Sequence, residues 1–237
     1  MSKRCYIVGA GDFSNRYVPK AGDFIIAADA GLTHLEKAGI VPDIVVGDFD
    51  SLGVVPNHLA VMQSPAEKDD TDMVLAVNEA LSRGYEFLII DGGLGGRQDH
   101  TMANYQVLVS IASRGARAVL LGKDMCVTAV KNGVIRFLPM QQEKKSARAD
   151  VARTDVSHTD LANAEMAESN FISVFCMGSK AEGVNISGLK YTAENVTLTY
   201  DYPIGVSNEF TCQAAQISVE SGTLLVMWSG EFERLEI

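Results

Sequence analysis

Apolar positions in the first half of the chain come in short runs separated by amphipathic stretches. Cys5-Tyr6-Ile7-Val8, Phe24 to Ala28, Ile44-Val45-Val46, Phe87-Leu88-Ile89-Ile90 and Ala116 to Leu121 are too short for helices and have no polar face. Such runs suit strands buried on both sides of a parallel sheet. Between them, Leu32, Leu35 and Ala38 fall at helical spacing before Gly39, and Met73, Ala76, Val77, Ala80 and Leu81 do so before Gly84. Met102, Tyr105, Val109 and Ala112 predict a third helix over Thr101 to Ser113. Strands alternating with helices imply parallel pairing with helices on both faces. The loops after the strands then share one edge, the carboxyl edge, where open α/β sheets bind ligands.

The pattern changes near Lys123. Cys126 to Val130 and Val134 to Leu138 flank Asn132-Gly133, which predicts a hairpin on a type I′ turn. Short strands are predicted at Phe171 to Cys176, Val184 to Leu189, Val196 to Tyr200, Ala214 to Val219 and Leu224 to Trp228, with Ser221-Gly222 as another hairpin turn. That spacing indicates an antiparallel sandwich or barrel. The expected organisation is an α/β domain over 1–123 with a parallel sheet, followed by an all-β sandwich domain over 124–237. A polar, alanine-rich insertion near 141–169 carries no chemistry that its residues identify.

The richest carboxyl-edge loop is Asp91-Gly92-Gly93-Leu94-Gly95-Gly96-Arg97-Gln98-Asp99-His100. Glycines between a strand and a helix N-terminus let backbone N–H groups approach an anion closely. Arg97 adds a fixed positive charge and Asp99 a hard oxygen ligand. Other loops point to the same edge. Gly9-Ala10-Gly11 begins a G-x-G turn whose third glycine is replaced by Ser14, a pattern shared by dinucleotide loops and by ordinary strand-to-helix turns. Asp29, at the tip of the second strand, suits either a ribose hydroxyl or the N-cap of the next helix. In Gly47-Asp48-Phe49-Asp50-Ser51, side chains at i and i+2 of an extended segment share a side, making Asp48 and Asp50 natural co-ligands. Glu67-Lys68-Asp69-Asp70-Thr71-Asp72 opens the second helix, where acids also serve as caps and complement the helix dipole.

The formal net charge of −10 excludes a polyanion as main partner, so no nucleic acid is expected. No apolar run is long enough to span a bilayer, and no signal-like region precedes Cys5, so no membrane is expected either. Cys5, Cys126, Cys176 and Cys212 form no C-x-x-C pair and read as reduced core residues of a cytoplasmic protein.

Two carboxylates about 4 Å apart repel by roughly 4 kcal/mol at an effective dielectric near 20. A polyphosphate among them adds to the repulsion, so the acidic cluster beside the glycine loop calls for a divalent cation. Oxygen ligands favour Mg²⁺ or Mn²⁺. Among the histidines only His100, inside the glycine-rich turn, is a site candidate. The residues by themselves thus describe a Mg²⁺-dependent enzyme acting on a nucleotide polyphosphate, and leave the acceptor open.

These segments together resemble the thiamine pyrophosphokinase family. Ala28-Asp29-Ala30-Gly31, Pro42-Asp43, the segments starting at Gly47 and Glu67, and the glycine loop occur in that family's order and spacing. Gly188-Leu189-Lys190-Tyr191 and Gly205-Val206-Ser207-Asn208-Glu209 also match. Ala30 replaces the family's usual glycine and Met102 its usual leucine. The resemblance implies a homodimer that transfers the terminal pyrophosphate of ATP to the hydroxyethyl oxygen of thiamine, releasing AMP. It implies Mg²⁺ on Asp48, Asp50 and Asp72, with Asp99 nearby. ATP would meet Asp29, Gly31, Thr71, Gly93, Gly95, Gly96, Arg97 and His100. Lys68 of one subunit would line the thiamine pocket with Ser207 and Asn208 of the other, although Ser207-Asn208 alone also suits a plain β-turn.

Two other readings compete. An oxidoreductase holding a dinucleotide on Gly9, Gly11 and Asp29 leaves the acidic cluster and Arg97 without a role. A Mg²⁺-dependent receiver or nucleotide sensor would bind without turnover.

Overall fold

The computed structural model describes residues 3–47, 60–63, 70–139 and 170–236. The chain divides into two compact units, Met1–Lys123 with Val127–Ala129, and Asp124–Cys126 with Val130–Ile237. In the first unit, strands β1 (Arg4–Val8), β2 (Phe24–Ala28), β3 (Ile44–Gly47), β4 (Val61–Gln63), β5 (Phe87–Asp91) and β6 (Arg117–Leu121) are parallel, in the order β6-β5-β1-β2-β3-β4. In the two central strands, β1 is buried from Cys5 to Val8 and every residue of β5 is buried. Helices α1 (Gly31–Lys37), α2 (Asp72–Ser82) and α3 (Gln98–Ser113) lie between strands. α2 buries Met73, Ala76, Val77 and Ala80, the expected stripe.

This strand order reverses at β1. From β1 the chain builds outward to β4, then returns to add β5 and β6 on the other side. Ligands bind outside the carboxyl ends of strands at such a switch point. The loops after β1 and β5, Gly9 onward and Gly92 onward, are the pair that flank it.

Two expectations for this unit need correction, and one strand is additional to them. No helix follows Gly9-Ala10-Gly11, because the chain from Gly9 to Asp23 is irregular up to β2. A dinucleotide loop works by delivering phosphate to a helix N-terminus, so that reading loses its physical basis here. In α3 the buried residues are Val107, Leu108 and Ile111, while Met102 is exposed. The helix therefore turns a different face to the sheet than the Met102 stripe indicated. β4, only three residues long, was not anticipated.

In the second unit one sheet has the order β11 (Ala193–Thr199), β10 (Lys180–Ser187), β13 (Ala215–Ser218), β8 (Val134–Phe137), all antiparallel. A second runs β12 (Asn208–Glu209), β9 (Phe171–Cys176), β14 (Thr223–Ser229), with β7 (Met125–Lys131) beside β14. The two meet in an aromatic core in which Phe137 stands edge-on to both Trp228 and Phe210, at 5.2 Å between centroids in each case.

The two expected hairpins are corners between these sheets. β7 and β8 do not pair, and neither do β13 and β14; each turn carries the chain from one sheet to the other. Among the turn residues only Asn132 and Gly222 have positive φ, so Asn132-Gly133 is not a type I′ turn, which needs both central residues there. Instead the two corners hold each other: Asn132 N–H donates to Gly222 O at 3.1 Å, and Gly222 N–H to Asn132 Oδ1 at 2.9 Å. Strand exchange at corners is a regular feature of packed sheets.

Cys5, Cys126 and Cys176 are buried and Cys212 is exposed; all four are free thiols. Among the described residues no helix is long and apolar enough to cross a membrane.

Candidate active site

A cleft of about 480 Å³ opens at the switch point. It is lined by Gly9, Ala10, Gly11, Ala28, Asp29, Thr71, Asp72, Met73, Gly92, Gly93, Gly95, Gly96, Arg97, His100, Ala103 and Asn104. Its size suits a small organic ligand.

The floor is made by two loops in unusually close approach. Gly9 N–H donates to Asp91 O at 2.8 Å, Gly11 N–H to Gly92 O at 2.7 Å and Asp12 N–H to Leu94 O at 2.8 Å. A Cβ on Gly11 would come within 2.6 Å of Leu94 O, and one on Gly92 within 2.3 Å of Gly9 O. The glycines of the first loop are thus explained by packing against the second.

Hydrogen bonding orients the glycine loop. Three of its carbonyls are engaged by protein donors: Gly92 O and Leu94 O by the first loop, and Gly93 O by Asn104 Nδ2 at 2.7 Å. By contrast, the N–H groups of Gly93, Gly95 and Gly96 donate to no described residue. With three of its carbonyls engaged and donors available at the mouth of α3, the loop favours an anion. Arg97 occupies the N-cap position of the same helix without a side-chain capping bond, its guanidinium in an exposed ion pair with Asp99. Asp99 itself does not line the cleft.

The remaining site candidates fall as follows. Thr71 is the N-cap of α2, its Oγ1 accepting from Val74 N–H at 3.3 Å, and Asp72 opens the first turn on the cleft wall. Asp29 is not a cap, since Ala30 occupies that place in α1; it holds a left-handed backbone, φ 48°, and donates its N–H to Val46 O at 2.8 Å. Gly31 does not line the cleft but lets α1 sit on β1, where a Cβ would come within 2.0 Å of Val8 O. Asp48, Asp50 and Lys68 lie outside the described residues. In the second unit, Ser207 has φ 59° and donates its N–H to Ser173 Oγ at 3.0 Å. The buried Asn208 fixes a neighbouring loop: Oδ1 accepts from Tyr191 and Glu209 N–H, and Nδ2 donates to Tyr191 O at 2.6 Å.

Asn104 and Met73 are cleft residues that sequence reasoning passed over. For Asn104 the signal was present: His100, Ala103 and Asn104 stand at i, i+3 and i+4, one face of a helix. The misassigned face of α3 concealed it.

A doubly wound α/β unit with a glycine-rich loop and a cleft at its switch point, followed by a β-sandwich, defines the structural class. Comparison with known proteins narrows the class. Residues 16–120 match the family model described as thiamin pyrophosphokinase, catalytic domain, and residues 158–224 match thiamin pyrophosphokinase, vitamin B1 binding domain. The thiamine pyrophosphokinase of Bacillus subtilis is 26% identical over 210 residues, covering 86% of each chain. Thiamin pyrophosphokinase 1 of Caenorhabditis elegans is 27% identical over 212 residues, 85% of this chain and 76% of that one. The crystal structure of the Bacillus subtilis protein superimposes with a TM-score of 0.76 at 23% identity, over 97% of this chain and 100% of that one, and shares its fold. The chain belongs to the thiamine pyrophosphokinase family and is an enzyme of that family.

Proposed function

We propose that the chain transfers pyrophosphate from ATP to the hydroxyl of thiamine, giving thiamine diphosphate and AMP. The observation that carries this reading is the joint placement of Arg97, Asp72 and the available amides of Gly93, Gly95 and Gly96 on one cleft. These groups suit a phosphate chain, and the match to both parts of the family supplies the acceptor.

Of the aspartates assigned to Mg²⁺, with Mn²⁺ the alternative, Asp72 is the one among the described residues, and it lines the cleft, which suits an ion held by few carboxylates. Among the described residues no three His, Cys, Asp or Glu side chains gather to form a cage. Mg²⁺ does not need one: it takes one or two carboxylates and completes its shell with water and substrate phosphate oxygens. Asp72 would hold it, with Asp48 and Asp50 from the segment that follows β3. When bound, the ion supplies charge neutralisation to phosphoryl oxygens.

The chain's own residues supply positioning. Amides of the glycine loop hold the phosphates in place and Arg97 neutralises charge that builds on them during in-line attack at the β-phosphorus. Asp29, Thr71 and His100 line the space left for the rest of the nucleotide. An aspartate of the cluster accepts the thiamine hydroxyl proton. On the strength of the family motifs alone, thiamine is assigned to Lys68 of one subunit with Ser207 and Asn208 of the other in a homodimer.

The test is incubation with ATP, Mg²⁺ and thiamine. AMP and thiamine diphosphate are expected in equal amounts, and loss of both on chelation. Formation of ADP would mean γ-phosphoryl transfer and would defeat the assigned reaction.

A further inference from the structure

We propose that Asp91, buried behind the glycine loop, is the positioning residue that aims the loop's amides into the cleft and thereby sets the affinity for a phosphate chain. The inference rests on reading the cleft as a phosphate site and adds to it a residue that touches no substrate.

Asp91 ends β5 and is fully buried. Its carboxylate accepts five hydrogen bonds: from Ser14 N–H at 2.8 Å, Ser14 Oγ at 2.7 Å, Asn15 N–H at 3.2 Å, Gly92 N–H at 2.8 Å and Tyr6 Oη at 3.3 Å. Burial and the adjoining Asp91 charge push the Tyr6 phenol up, so it stays protonated as the donor. A carboxylate offers about four lone-pair sites, so this one is saturated.

Two consequences follow for the cleft. Capture of Gly92 N–H turns the first amide of the loop inward, and the next amides belong to residues that line the cleft. Capture of Ser14 and Asn15 fixes the segment whose Gly11 and Asp12 N–H groups hold Gly92 O and Leu94 O. Asp91 thus fixes the loop from its own end and from the opposing loop.

Replacing Asp91 by Asn keeps the shape but puts an NH₂ where one oxygen stood. The hydroxyls of Ser14 and Tyr6 can rotate to accept from it, whereas the Asn15 N–H cannot. Ser14→Ala removes one hydroxyl donor and leaves the carboxylate in place.

The experiment titrates ATP and inorganic tripolyphosphate into the full-length wild type, Asp91→Asn and Ser14→Ala, well below each melting temperature, and measures KM for both substrates. Both variants are expected to bind tripolyphosphate and ATP about tenfold more weakly, the scale of one hydrogen bond to a charged group. KM for ATP should rise in step, with KM for thiamine unchanged. Folded variants with a lower melting temperature but wild-type phosphate affinity would show that Asp91 only anchors loops, which overturns the proposal. Equal rises in both KM values would overturn it too. If Asp91→Asn does not fold, Ser14→Ala decides. Failure of the wild type to bind either phosphate compound would sink the phosphate reading itself and the proposal with it.

Discussion

The Arg97 guanidinium grips the Asp99 carboxylate with two prongs, Nη2 to Oδ2 at 2.6 Å and Nε to Oδ1 at 3.2 Å, at the start of α3. That pairing occupies the side-on edge of Arg97, so an oxyanion at the cleft rim would be met by the remaining Nη donors or would compete with Asp99 for that edge. Its hydrogen bonds hold the Asp99 carboxyl below the ordinary aspartate range, helped by the N–H of His100 and opposed by desolvation. A folded-state pKa depressed below the unfolded one contributes stability above the unfolded value, and that contribution is lost as pH falls through the folded value. Both side chains are in water, so the effect on stability is small and the titration is the sensitive readout. By carboxyl NMR, Asp99 should titrate below a normal aspartate in the wild type and return to the normal range in Arg97→Met. An ordinary value in the wild type would mean that the pair does not form in solution.

Thr71 serves α2 as well as the cleft. Its Oγ1 satisfies Val74 N–H, one of the orphan donors of the first turn. Thr71→Ala should cost about 1 kcal/mol, a fall of about 2–4 °C in melting temperature. Thr71→Ser retains the acceptor and should restore most of it. If Ser is no better than Ala, the cap contributes nothing and the loss belongs to packing of the methyl group.

The features that were readable in the sequence are those that neighbouring residues encode. Five parallel strands show as short, largely apolar runs, and Asp91 to His100 carries its glycines, arginine and acid within ten residues. What was hidden depends on partners distant in the chain. In the sequence Asp91 is only the first residue of the glycine stretch; its role appears only when Ser14 and Tyr6, 77 and 85 residues away, come to it. Asn132-Gly133 and Ser221-Gly222 announce turns correctly, but a turn signal does not say which sheet the next strand joins. Val61-Met62-Gln63 is too short for any periodicity to register. In α3 the eye follows Met102, an apolar residue left in solvent, and so loses Asn104.

Two glycines of the same loop should respond very differently to alanine. Both have left-handed backbones, φ 65° at Gly92 and φ 60° at Gly96. At Gly96 nothing lies within 4 Å of an added Cβ, so Gly96→Ala should cost only the backbone strain, about 1 kcal/mol. At Gly92 the added atom meets Gly9 backbone, with O at 2.3 Å and C at 2.9 Å, and no side chain can swing aside. Overpacking on top of strain should bring Gly92→Ala to about 3 kcal/mol or more. Urea unfolding of the two variants checks the difference; equal costs would mean the loops do not approach as described.

Arg234 offers a test in the sandwich unit, away from any proposed chemistry. Its guanidinium carbon sits 3.7 Å from the centroid of Phe210, while Nε and Nη2 are buried with no hydrogen-bond acceptor among the described residues. Desolvation by burial lowers its pKa, but an arginine remains charged at neutral pH. The stacking gains about 0.5–2 kcal/mol, whereas each buried donor without a partner costs about 1–3 kcal/mol. The cost exceeds the gain. Arg234→Met keeps an unbranched stem over the ring, places sulfur where it contacts the aromatic face favourably, and removes both donors. It should raise stability by about 1 kcal/mol in urea unfolding, with the slope unchanged. A loss of that size instead would show that the guanidinium is satisfied in solution and that its charge supports the fold.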